Sequence, residues 1–191
     1  VNGTLRPDGS VYNGPSIPAL TNVQQTQKDF LFRVVRGGYY GHPNLLRGEY
    51  VMNGGNPTNS LDSGQVNDYP VGTRPDKNWR GYSFDFQTNM SPNGAIEYKS
   101  NTFNGALKGA LLVVRYSKHD DIITLYPGGT NKDIISSIEG PSIEGFSGFI
   151  DPLDIIEDVK TGNIYVSEYG RTGRIILLRP KFISAGSAPE K

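Results

Sequence analysis

The chain has 191 residues, a length that suits one domain or two small ones. Its 19 basic and 19 acidic residues cancel, which removes the electrostatic footprint of a nucleic-acid binder or of a protein held to an anionic membrane surface. It contains no Cys, which excludes disulfides, thiol catalysis and Cys-ligated zinc, and no apolar run approaches the roughly 18 residues of a membrane-spanning helix.

The 24 Gly and 13 Pro are spread between short apolar runs, and 11 Tyr raise the aromatic content. That pattern predicts an all-β protein with many turns. No stretch of about 11 residues keeps apolar spacing at three and four, so no α-helix longer than about two turns is expected. Residues 1–27 are polar and rich in turn signals such as Arg6-Pro7-Asp8-Gly9 and Asn13-Gly14-Pro15. They predict an irregular segment. The chain opens on Val1 with no signal peptide, and the expectation is that it was cut from a longer protein. From Asp29 to Val35 the residues alternate as a strand and end on the breaker Arg36-Gly37-Gly38. Residues 53–80 read as a long functional or surface loop. Blades are expected over 28–183, and a flexible tail over 184–191.

The second half repeats. Residues 109–127 (GALLVVRYSKHDDIITLYP) align without a gap on residues 162–180 (GNIYVSEYGRTGRIILLRP), at an offset of 53. Val113 meets Val166, Tyr116 meets Tyr169, Ile122 and Ile123 meet Ile175 and Ile176, and Leu125 meets Leu178. Each copy predicts two strands joined by a short polar turn. A further strand is expected upstream of each, over Gly94–Tyr98 and Leu153–Val159, after the turns at Ser91-Pro92 and Asp151-Pro152. A period of about 50 residues with three or four strands is that of a propeller blade. A blade is apolar on both faces and buries them only by stacking on its neighbours. An open arc of about three blades therefore needs covering, by the remainder of its own polypeptide or by other chains that complete the ring.

Three segments together resemble a known family. Gly37-Gly38-Tyr39-Tyr40-Gly41-His42-Pro43 follows a strand, as does a Gly-Gly-Asn-Tyr-Gly-Trp-Pro motif of the glucose/sorbosone dehydrogenase-like propellers. Ser91-Pro92-Asn93-Gly94 with Gly109-Ala110-Leu111-Leu112-Val113 is similar to that family's next blade. Asp151-Pro152-Leu153-Asp154 through Gly162-Asn163-Ile164-Tyr165-Val166 is similar to its closing blade. The resemblance implies a six-bladed, secreted or periplasmic propeller, of which residues 28–180 form the C-terminal half. Characterised members oxidise sugars with pyrroloquinoline quinone (PQQ) and calcium, using a catalytic His from blades upstream of the first motif. The sequence departs from the family in three places. His42 stands for the motif's Trp. Gly148-Phe149-Ile150-Asp151 falls where an Arg pair meets the quinone. Arg171 replaces the Pro of a calcium-holding turn. These departures imply a partial or non-catalytic, carbohydrate-related or assembly propeller. The alternative is half of a quinone-dependent aldose or sorbosone dehydrogenase.

Among individual residues, His42 lies in a Gly/Tyr-rich loop beside Tyr40, where an imidazole suits a base or a ligand. His119 sits in Lys118-His119-Asp120-Asp121, a charge cluster expected at a solvated hairpin tip. Arg115 and Glu168 occupy equivalent repeat positions. They are expected either in a central channel or paired with neighbours between blades. Trp79 and Arg80, with Asp76 nearby, offer an aromatic face beside polar groups, a combination that suits a sugar ring, and the alternative is that Trp79 plugs the blade below. Asn2-Gly3-Thr4 and Asn89-Met90-Ser91 match the glycosylation sequon.

Overall fold

The structure is a computed structural model, and it describes residues 28–38, 40, 80–130, 133–170 and 172–181. The segments 1–27 and 184–191 and the loop residues 53–79 lie outside the described residues. The chain divides into two compact units. In the first, residues 32–38, 40 and 80–82 are described, and a turn at Arg36-Gly37 returns the Gly38 N–H to the Val35 carbonyl at 3.0 Å.

The second unit takes in residues 27–31 and 83–191, and its described part is built from three antiparallel sheets. β1 (Lys28–Leu31) pairs with β2 (Phe84–Thr88). β3 (Pro92–Glu97), β4 (Leu111–Arg115), β5 (Asp121–Gly128) and β6 (Asp133–Ile138) form a four-stranded meander. β7 (Pro152–Asp158), β8 (Asn163–Glu168) and β9 (Arg174–Leu178) form a three-stranded one. Among the described residues the only helical structure is two 3₁₀ turns, Phe103–Gly105 and Gly140–Ser142. The fold is therefore all-β. The strand expected over 29–35 is shorter, because the ladder with β2 ends at Leu31↔Phe84.

The central sheet explains its own sequence. Every residue of β4 from Leu112 on, and β5 as far as Leu125, is buried. Alternation then divides them. Val113, Ile123 and Leu125 pack with Phe86, Leu31 and Phe84 of the first sheet. Leu112, Val114 and Ile122 pack with Ile155, Ile164 and Val166 of the third. The central sheet is thus apolar on both faces because it is a middle layer. Each such aliphatic side chain contributes about 1.5–3 kcal/mol on burial.

The sequence repeat is a structural repeat, register included. In the β4–β5 hairpin the pairs run from Leu111↔Leu125 to Arg115↔Asp121. In β8–β9 they run from Ile164↔Leu178 to Glu168↔Arg174, each pair displaced by 53 residues. The upstream strands match as well, with Pro92↔Arg115 answered by Pro152↔Glu168, and each ladder carries a bulge just after its Pro. Here the displacement is 152 − 92 = 60. The extra seven residues lie between β3 and β4. There Tyr98 is fully buried, donates to the Gly162 carbonyl at 2.9 Å and bonds the Thr102 hydroxyl. Glu157 of β7 accepts the N–H groups of Lys99 and Ser100 at 2.9 and 2.7 Å. That loop fastens the central sheet to the third. At the other side of the junction, β3 and β7 approach closely at Gly94. A Cβ there would lie 2.6 Å from the Asp154 Cα, so only glycine fits.

Candidate functional site

The sheets leave a cleft of about 430 Å³ at the end where β3 and β7 begin and β4 and β8 finish. Ser91, Asn93, Tyr116, Leu153 and Tyr169 line it. The repeat builds both walls. Tyr116 and Tyr169 are 53 apart, and Asn93 and Leu153 are 60 apart, so each repeat brings the same two positions to the cleft. The Tyr116 N–H donates to the Ser91 carbonyl at 3.1 Å, and the Tyr169 N–H to the Asp151 carbonyl at 2.9 Å. Ser91 (φ 47°) and Asp151 (φ 53°) both hold a left-handed backbone immediately before a Pro. Non-glycine residues seldom adopt that region, and a matched pair of them at one site is a built feature. The Asn93 amide donates to the Pro152 carbonyl at 3.4 Å and ties the two sheets across the cleft. Tyr169 is two-thirds exposed, and Leu153 is exposed beside it. The lining is largely apolar with hydroxyl and amide groups at its border, and among the described residues it holds no charged side chain.

Arg115 and Glu168 do not line this cleft. Each closes its own hairpin. The Arg115 Nε donates to Asp121 Oδ1 at 2.8 Å, its Nη2 donates to Asp121 Oδ2 at 2.6 Å, and the same Nη2 reaches Glu139. Asp121 Oδ2 also accepts the Gly140 N–H at 3.2 Å. Burial opposes the Arg115 charge, but donation to Asp121 and Glu139 outweighs it and holds the guanidinium above its ordinary value. In the second repeat the signs are exchanged. Glu168 stands for Arg115, Arg174 stands for Asp121, and the Arg174 Nε donates to Glu168 Oε2. Glu168 Oε1 accepts the Ile150 N–H at 2.8 Å. Burial favours the neutral acid, but Arg174 and the Ile150 N–H outweigh it and hold the Glu168 carboxyl below the ordinary range. Each of these two residues thus has its partner directly across its own hairpin.

His119, Asp121 and Glu139 place their ligand atoms within 4.8 Å of one another. The Arg115 guanidinium already supplies that group's cation, since it bonds both carboxylates. The charge cluster at the β4–β5 turn is also less solvated than expected. His119 is exposed, but Asp121 opens β5 and is fully buried.

Tyr40 is a structural tie. Its hydroxyl accepts the Val35 N–H at 2.7 Å and donates to the Arg33 carbonyl at 2.9 Å, while its ring meets Phe32 edge-on at 5.4 Å. Arg80 is exposed. His42, Asp76, Trp79 and Arg171 lie outside the described residues. Phe149, at the place where the family's Arg pair would fall, is buried in the core between the second and third sheets. Sequence reasoning singled out none of the cleft residues. The available signal was an identical Tyr following the last residue of each repeat's second strand, which reads equally as two strand-end aromatics. No protein-family model, curated protein or solved structure matches the chain.

Proposed function

We propose that the chain is an arc of a non-catalytic β-propeller related to the sugar dehydrogenases, and that it holds a sugar ring in the cleft between Tyr116 and Tyr169. The observation that carries this reading is the doubled wall of the cleft, where two blades present an aromatic at the same repeat position beside amide and hydroxyl groups. An apolar ring face flanked by hydrogen-bonding edges is what a pyranose needs from its site. The non-catalytic part of the reading rests on three points. Arg115 and Glu168 are occupied by their hairpin partners. Phe149 is a core residue. The described residues that line the cleft carry no charge to move a proton.

The test is titration calorimetry of the 191-residue protein against a panel of mono- and oligosaccharides, with Tyr169→Ala alongside. Loss of one stacking ring is expected to weaken binding about tenfold, equivalent to about 1.4 kcal/mol. Saccharide binding unchanged in Tyr169→Ala would place the sugar elsewhere, and no binding across the panel would remove the carbohydrate reading. Dye reduction with glucose after addition of quinone and calcium would favour the dehydrogenase alternative.

A further inference from the structure

We infer that the outer face of the third sheet, with the edge of β9 that borders it, is a docking surface for one more repeat unit of the same kind, contributed by polypeptide beyond this repeat. The inference rests on the blade reading above but not on the sugar cleft. In the central sheet, the face toward the third sheet carries Ile96, Leu112, Val114, Ile122 and Thr124. The last four are fully buried. Their repeat equivalents are Ile156, Tyr165, Ser167, Ile175 and Leu177. Those residues form the third sheet's opposite face, where Ile156 is 59% exposed, Ile175 71% and Leu177 37%. One face is therefore seen twice, once covered and once open. What covers it in the central sheet is a neighbouring β-sheet presenting Ile155, Ile164 and Val166. The same chemistry suits the open copy.

The edge repeats the message. β5 pairs with β6 through Thr124↔Ile138 and Leu125↔Ser137. The equivalents of Thr124 and Leu125 are Leu177 and Leu178 of β9, and among the described residues β9 pairs only with β8. Among the described residues, the third sheet thus has three strands to the central sheet's four, the difference lying on the side where β6 would stand. A shallow hollow of about 120 Å³ on the open face, bordered by Ile156, Tyr165, Ser167 and Ile175, shows where side chains of the next sheet would insert.

The repeat itself specifies the experiment. Leu125 is equivalent to Leu178, so a second copy of residues 126–178 inserted between Leu178 and Arg179 extends the stack by one 53-residue period in register. The inserted residues bring a copy of β6 beside β9 and one further sheet. Ile175→Asp is then compared in both backgrounds by thermal unfolding. In the original chain Ile175 is exposed, and the midpoint is expected to move by no more than about 2 °C. In the extended chain it is covered, and the midpoint is expected to fall by about 5 °C or more. Hydrogen exchange gives a second reading, in which the β9 amides facing away from β8 become protected only in the extended chain. Equal shifts in the two backgrounds would overturn the proposal, as would an insert that stays unprotected. So would an original chain that sediments as a dimer dissolved by Ile175→Asp, which would assign the face to a second copy.

Discussion

The two hairpins carry the same ion pair with its signs exchanged, but in different surroundings. Arg115 and Asp121 are both buried, whereas Glu168 is buried against an Arg174 side chain that is 52% exposed. A buried pair loses strongly when one partner is removed, because the remaining charge is left without water or counterion. Arg115→Met should therefore cost about 3–5 kcal/mol in urea denaturation. Arg174→Met removes a partner that is half exposed, where solvent screens the pair, and should cost less than Arg115→Met. Equal losses would mean that burial does not separate the two sites. The alignment of Arg115 with Glu168 was legible in the sequence, but the pairing was not. The compensating exchange from Asp121 to Arg174 lies across the hairpin, where a linear comparison shows two unrelated substitutions.

At the scale of elements, the hairpins β4–β5 and β8–β9 were legible because continuous apolar runs flank short polar turns. β6 was not. Of its residues only Ile134 packs into the core, so it shows no alternation and exists as a strand through its pairing with β5. β2 was hidden for a related reason, since its partner β1 lies more than 50 residues upstream. A close backbone approach between elements is at Gly94, where a methyl group would meet Asp154 and Ile155 backbone atoms that cannot rotate away. Gly94→Ala should part β3 from β7 and cost about 2 kcal/mol or more. A chemical-denaturation midpoint that stays in place would show that the two strands stand further apart than the structure has them. The same substitution should also widen the cleft, which begins one residue away at Asn93.

Across the molecule, the described part of the second unit is an ordered stack. The first sheet covers one face of the central sheet, and the third sheet covers the other. The repeat at an offset of 53 announced such stacking, because a sheet apolar on both faces has no other way to bury them. What the repeat did not announce is which residues face which neighbour, since that is set by the pleat and by the bulges after Pro92 and Pro152. The sandwiched central sheet is the claim on which both the cleft and the docking face depend. Methyl-labelled NMR tests it most directly. Val114 and Ile122 should show methyl contacts with Ile155, Ile164 or Val166, while Val113 and Ile123 show contacts with Leu31 methyls and the Phe86 ring and none with the third sheet. Contacts from Val113 or Ile123 to Ile155 or Val166 would contradict the stack.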